Sequence, residues 1–277
     1  MSTILIGVDN TARSEDAIAL ARRLAHTFTG DLIVATVTQD RAEGHAVTHR
    51  MAGLLEPGLD PDRIRTAVVP APSPAQGLHE LAEAEHADLI VVGSTHSGRL
   101  GRVRPGSTGE RLLQGAPAAV AVAPHGYRTR LDPELNTIGV AYNGSREADH
   151  ALQSALGLAH ATGAHVQAIT VIPLELYGTP PYAHAEIDAT MRAALEDAVA
   201  GTAAETVVLD GRPWAALAAK SEELDLLLVG SRVYGPLRAV ITGGTSGPLI
   251  HHAHCPVLIL PRGVDAPLHQ GAEALLG

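Results

Sequence analysis

Short, continuous apolar runs alternate along this chain with stretches in which apolar residues recur every three to four positions. Residues 3–8 are apolar almost throughout, the pattern of a strand buried on both faces. Residues 14–27 then carry Ala17, Ile18, Ala21, Leu24 and Ala25 at helical spacing. Ser14 is the expected cap of that helix, with Glu15 and Asp16 in a first turn where the helix dipole favours negative charge. The alternation continues with strands expected at 32–37, 64–69, 89–92 and 119–123, and helices at 45–56, 74–86 and 107–114. Pro74 opens the second of these helices, where its missing N–H does no harm. The second half repeats the order, with strands at 137–142, 165–172, 205–209, 225–229 and 256–260. Its helices are expected at 146–161, 183–200, 213–222 and 245–251. Alternating βα units with short buried strands argue for a parallel sheet covered by helices on both faces. The fold class expected is therefore α/β, as two tandem, doubly wound, Rossmann-like domains of five parallel strands each. A ligand would sit at the carboxyl ends of the strands.

The two halves are also similar residue by residue. Residues 3–26 align with 137–160 without a gap, 87–109 align with 224–246, and 120–126 align with 257–263. A repeat of that length is a whole domain rather than a solenoid unit. The domains are placed at 1–126 and 134–264, separated by a polar stretch that ends in Pro133, and the residues from about Val264 form a loose tail. The fifth strands, 119–123 and 256–260, are expected at sheet edges and are rich in Val, Ile, Leu and Ala. An uncovered apolar edge invites pairing, so these strands are the expected contact between the halves.

Bulk composition narrows the function classes. The 277 residues suit two average domains, and 45% apolar content is enough for a core in each. Aromatics are only 3%, leaving small aliphatic side chains to do the packing. A net charge of −10 repels nucleic acid and anionic lipid, so neither is an expected partner. Cys255 is the single cysteine, which forbids an intrachain disulfide and points to a reducing compartment. No basic residue precedes the apolar run at 3–8, and Asp9 ends it, so it does not read as a signal peptide. No apolar run approaches the roughly 18 residues of a membrane helix, and the expected location is the cytoplasm.

Candidate chemistry gathers after the fourth strand. Gly93-Ser94 closes that strand, and Gly106-Ser107-Thr108-Gly109 stands where the next helix begins. Glycines let a backbone approach a phosphate, and hydroxyls and free N–H groups can hold it. Arg99, Arg102, Arg104 and Arg111 fall in and beside this segment of an otherwise acidic chain and could neutralise phosphates. The same residues equally suit plain turns in a solvated loop, and spacing alone leaves both readings open. Elsewhere, His251, His252, His254 and Cys255 cluster in sequence, but neighbouring helical positions diverge and no second ligand group completes a metal site. Cys255 reads as a small core residue and Trp214 as a packing residue. Pro173, Pro180 and Pro181 with Tyr177 and Tyr182 mark a surface loop. No nucleophile elbow, paired carboxylates or full P-loop is present, so no catalytic residue and no metal ligand is assigned.

Taken as a set, these features resemble the universal stress protein family. The set comprises Asp9 with Asn10-Thr11, the run 87–94 and the Gly106-Ser107 that follows it. In the second half it comprises Asn143-Gly144-Ser145, Asp225 to Ser231, Gly243-Gly244 and the run 253–258. The resemblance spans nearly the whole chain, twice. It implies a five-stranded parallel sheet in each half and, for some members, an ATP site. That site uses a glycine, two residues, a second glycine, nine residues, then glycine with serine or threonine. Gly93, Gly106 and Ser107 match in the first half, whereas His96 replaces the second glycine and Gly98 lies close by as a substitute turn. In the second half Gly230 and Gly243 match, while Val233 and Gly244 depart from the pattern and Thr245 and Ser246 follow. The family's strand-end aspartate is Asp9 in the first half and Asn143 in the second.

By this resemblance Asp9 and the backbone near Val37 would face an adenine. Gly93, Ser94, Gly98, Gly106, Ser107 and Thr108 would hold ribose and phosphates, with Mg²⁺ accompanying them. The degenerate second pocket would use Asn143, Gly230, Ser231, Gly243, Gly244 and Thr245. Family members of this kind often dimerise through their fifth strands; a tandem chain can pair internally and still form a dimer of tandems. Three functions are expected in descending order: a nucleotide-binding stress-response regulator, a nucleotide-free interaction module with degenerate pockets, and a slow ATP hydrolase.

Overall fold

In a computed structural model of the chain, the described residues are 3–95, 100–130, 134–173, 181–230 and 246–261. Ten strands among them join in a single sheet. The first half contributes β1 (Ile4–Gly7), β2 (Leu32–Val37), β3 (Ile64–Val69), β4 (Leu89–Gly93) and β5 (Ala119–Ala123). The second contributes β6 (Thr137–Ala141), β7 (His165–Ile172), β8 (Glu205–Asp210), β9 (Leu226–Gly230) and β10 (Val257–Leu260). Their order is β3-β2-β1-β4-β5-β10-β9-β6-β7-β8. All pairings within each half are parallel. The expected contact between the fifth strands is present as an antiparallel ladder in which Leu258 stands opposite Ala121. Two five-stranded sheets thus become one, and their carboxyl edges point in opposite directions.

The helices are α1 (Ala12–Ala25), α2 (Arg41–Leu55), α3 (Pro74–Ala84) and α4 (Ser107–Leu113) in the first half. In the second they are α5 (Arg146–Thr162), α6 (Pro181–Val199), α7 (Pro213–Lys220) and α8 (Ser246–Ile250). Side chains alternate across the sheet, so each strand feeds two cores. Ile4, Ile6, Ala121 and Leu258 join the core that also takes Leu20 and Leu24 of α1 and Leu152 of α5. Leu5, Val120, Val122 and Val257 join the other, with Leu78 of α3 and Leu217 of α7. Each core runs unbroken across the β5–β10 junction. No helix among the described residues is long and apolar enough to cross a membrane.

Polar side chains tie the halves together as well. Buried Arg23 donates to the Tyr127 hydroxyl at 2.6 Å and faces Asp225 of the second half at 3.3 Å. Asp225 also accepts from the backbone N–H groups of Asn136 and Thr137, so one carboxylate fixes the entry into β6. Asp16 in α1 is fully buried. It accepts from Gly126 N, Arg128 N and Arg128 Nη1, pinning the connecting segment to the first domain.

One local expectation needs correction. Ser14 does not cap α1. Thr11 holds the cap position without a side-chain cap bond, and Ser14 lies buried in the first turn. Its hydroxyl accepts from Asp9 N at 2.7 Å and donates to Asp9 Oδ1 at 2.8 Å. The Asp9 carboxylate, two residues ahead of Thr11, accepts that residue's N–H and satisfies the helix entrance instead.

Candidate functional site

The parallel strands of the first half end at a cleft of about 90 Å³. One wall is apolar and built from Val37 at the end of β2 and Pro74 and Leu78 of α3. The other is polar, with Asp9 after β1, Arg13 and Ser14 on the first turn of α1, Gly93 closing β4, and Gly106 and Thr108 at the start of α4. Of the residues expected to hold a nucleotide, Asp9, Val37, Gly93, Gly106 and Thr108 converge here, drawn from four separate segments of the chain.

The glycines have a measurable reason. A Cβ on Gly93 would lie 2.1 Å from the carbonyl oxygen of Arg13, so the first turn of α1 rests directly on the end of β4. A Cβ on Gly106 would lie 2.8 Å from Thr95 Cγ2 and 3.9 Å from Arg13 Nη1. Arg13 therefore reaches across the cleft toward the glycine that opens α4.

Ser94 plays a different part from the one expected. It is fully buried; its hydroxyl donates to Ala123 O at 2.6 Å and accepts from Arg104 N at 2.9 Å. It braces the loop between β4 and α4 rather than facing the cleft. Ser107 is exposed at the first position of α4 and does not line the cleft. Arg102 turns to the other domain and donates to the His252 carbonyl at 3.0 Å, and Arg111 is exposed on α4. Gly98, His96 and Arg99 lie outside the described residues, as do Ser231, Val233, Gly243, Gly244 and Thr245 of the second pocket and Tyr177 and Pro180 of the proline-rich loop.

Among the described residues that line the cleft the cation is Arg13, which the sequence reading passed over. Its Nε donates to Asp9 Oδ2 at 2.7 Å, and its Nη2 makes a second, closer bond to the same oxygen. Oδ1 of Asp9 is occupied separately, by Thr11 N, Thr11 Oγ1 and Ser14 Oγ. Burial pushes the Asp9 carboxyl up, but the bonds from Arg13, Thr11 and Ser14 outweigh it and hold the group below the usual carboxylate range. Helical spacing does not announce the pair, since Asp9 lies ahead of the cap Thr11 and outside α1.

The second half builds the same corner with other chemistry. Gly230 closes β9, and a Cβ there would lie 2.3 Å from the carbonyl oxygen of Glu147. Glu147 thus occupies in the second half the place of Arg13 in the first, as the gapless alignment of 3–26 with 137–160 requires. Asn143 accepts from Ser145 N, and Ser145 caps α5 through Ala148 N. Tyr142 donates to Asp149 at 2.7 Å; burial and that neighbouring carboxylate push its hydroxyl up to about 12.

The histidine cluster at the end of α8 disperses. The His252 ring lies 5.1 Å from that of Trp214, and His254 Nε2 sits 3.1 Å from Glu222. Among the described residues no three His, Cys, Asp or Glu side chains gather as a metal site. Cys255 is fully buried, and burial pushes its thiol up to about 12, so it is held neutral.

Comparison with known proteins follows the same outline. The model of the universal stress protein family matches residues 1–124 and again 134–261. A universal stress protein of Mycobacterium tuberculosis is 32% identical over 203 residues, covering 68% of this chain and 69% of that one. A second from the same organism is 26% identical over 184 residues, covering 64% and 62%. Among solved structures, a universal stress protein of Archaeoglobus fulgidus superposes with a TM-score of 0.71 at 20% identity, covering 94% of this chain and 98% of its own. A functionally unknown protein of Pseudomonas aeruginosa superposes with a TM-score of 0.73 at 17% identity, covering 99% and 98%. These structural likenesses extend over both halves and bear on the fold.

Proposed function

The chain belongs to the universal stress protein family, and from that premise we propose that its first domain binds an adenine nucleotide, ATP with Mg²⁺ carried on its phosphates. In this reading the protein is a cytosolic stress-response regulator whose output is conformational. The observation that carries it is the convergence of Asp9, Val37, Gly93, Gly106 and Thr108 on one cleft at the carboxyl ends of the strands. The donor set suits such a ligand. Val37, Pro74 and Leu78 offer an apolar wall for a base, glycines at 93 and 106 leave the backbone open to phosphate, and Thr108 and Arg13 add donors.

A second reading, a nucleotide-free interaction module, has an observation of its own. The Asp9 carboxylate is already bonded to Arg13, Thr11 and Ser14. The cleft's 90 Å³ also falls short of the ~300–1,000 Å³ of ordinary ligand pockets. The deciding experiment denatures freshly purified protein and identifies released small molecules by liquid chromatography and mass spectrometry, then titrates ATP with Mg²⁺ into ligand-free protein. About one adenine nucleotide per chain supports the nucleotide reading. No released nucleotide together with no heat of ATP binding leaves the interaction module.

A further inference from the structure

We propose that Arg13 is the phosphate-selecting residue of the first cleft, a latch that leaves Asp9 for the ligand and confines phosphorylated nucleotides to the first domain. The inference rests on the nucleotide reading of that cleft and adds what the ligand must carry and which half accepts it.

Three observations support it. The first is position. Arg13 lines the cleft, and its Nη1 lies 3.9 Å from where a Cβ on Gly106 would stand, at a point where the chain is bare of side chain. The second is the way Asp9 divides its bonds. Oδ2 is held by Arg13, whereas Oδ1 is held by Thr11 and Ser14. When Arg13 departs, the carboxylate keeps its orientation and presents Oδ2 as a free acceptor for an amino or hydroxyl group of the ligand. The pair is exposed enough to exchange, with 41% of the Arg13 side chain and 35% of that of Asp9 open to solvent. Ion pairs in that setting are weak, while a guanidinium on a phosphate makes paired, charge-assisted bonds. The swing of Arg13 also widens a cleft too small for a nucleotide as it stands.

The third observation is the second half. Glu147 takes the place of Arg13 against the strand-end glycine, and Asn143 takes that of Asp9. The aligned position thus carries a carboxylate in place of a guanidinium, and a negative charge on that turn disfavours a phosphate instead of gathering it. The two halves share a backbone corner and oppose each other in charge at its key side chain.

The test uses the full chain, freed of ligand, with ATP and adenosine as separate probes in calorimetric titrations at physiological salt. Arg13→Gln is expected to weaken ATP by about 10- to 100-fold, the loss of charged hydrogen bonds. Adenosine affinity should hold or rise, because that ligand makes no bond to the guanidinium and gains the Asp9 oxygen that Arg13 otherwise occupies. Arg13→Lys should fall between wild type and Arg13→Gln for ATP, and thermal melts of both variants establish that they are folded. Gly106→Val should abolish ATP binding, with no site in the second domain taking over.

Loss of ATP and adenosine affinity in equal measure would overturn the inference, as would an ATP affinity unmoved by Arg13→Gln or full-strength binding in Gly106→Val. ATP bound tightly but indifferent to residue 13 removes the latch and leaves the nucleotide reading standing. Failure of wild type to bind either probe removes both.

Discussion

Replacement of Gly93 by alanine tests how closely the cleft's corner is packed. A Cβ built there lies 2.1 Å from the Arg13 carbonyl oxygen and 2.8 Å from its carbonyl carbon, against an ordinary contact of 3.4–4 Å. The overlap is therefore more than about 1 Å, and the obstructing atoms are backbone, which cannot be relieved by a rotamer change. Relief requires the start of α1 to lift from β4. That turn also anchors Asp9 through Ser14 and Arg13, so these bonds loosen with it. Overpacking of this kind costs about 1–3 kcal/mol, and here the rigid neighbour argues for the upper end. For a chain of 277 residues that corresponds to a fall in Tm of roughly 3–5 °C. Gly230→Ala should behave alike, since its Cβ meets the Glu147 carbonyl oxygen at 2.3 Å.

The control is Gly53→Ala. Gly53 lies exposed within α2, with nothing inside 4 Å of its added Cβ. That variant should gain about 0.5–1 kcal/mol, the usual advantage of alanine over glycine in a helix. Melting curves from circular dichroism of the three variants, taken together, decide the matter. A Gly93→Ala protein melting within about 1 °C of wild type would show that the corner is looser than the distances state and would refute the reasoning.

Other expectations follow from single side chains. Asp16→Ala strands the buried N–H of Gly126 and removes the carboxylate that pairs with Arg128, and should cost roughly 2–5 kcal/mol; an unchanged urea midpoint would contradict it. Asp9 titrates below its ordinary value in the folded chain, because the bonds from Arg13, Thr11 and Ser14 overcome the opposing effect of burial. Its contribution to stability is thus fully present above the ordinary value of 3.8 and lost as pH falls through the depressed folded value. The stability gap between wild type and Asp9→Asn should accordingly be constant near neutrality and shrink in acid, as followed by urea unfolding at a series of pH values. Tyr142 is pushed up to about 12 by burial and by Asp149, so stability it contributes below the ordinary value of 10.0 is lost as pH rises through 12. Tyr142→Phe should remove a component of the phenolate absorbance that titrates near pH 12.

Strands were the most legible elements. The runs at 32–37, 64–69, 119–123 and 165–172 appear with those bounds because β-branched and aliphatic residues fill them and polar turns close them. The beginning of α2 was less so. Its first turn, from Arg41 to Gly44, has no apolar stripe, and the start is marked by Asp40, whose carboxylate accepts from Ala42 N and Glu43 N. In the cleft, Gly93 and Gly106 could be read because glycines at a strand end and a helix start announce themselves locally, whereas Asp9 and Val37 came only through the family resemblance. Ser94 could not, since its partner at Ala123 is 29 residues away, and neither could Arg102, whose partner carbonyl at His252 is 150 residues away. Arg13 drew no reading at all, since only the fold reveals that the cleft opens beside it.

The antiparallel meeting of β5 with β10 carries a genetic consequence. In a twofold assembly of identical chains every substitution arises twice, at symmetry-related places, so the two clefts must change together or not at all. Here the corresponding pairing is made within one chain, and it persists at any dilution because no second molecule is needed to complete it. Codon 13 and codon 147 mutate separately. The molecule keeps the framework of a symmetric pair while each half is free to specialise alone.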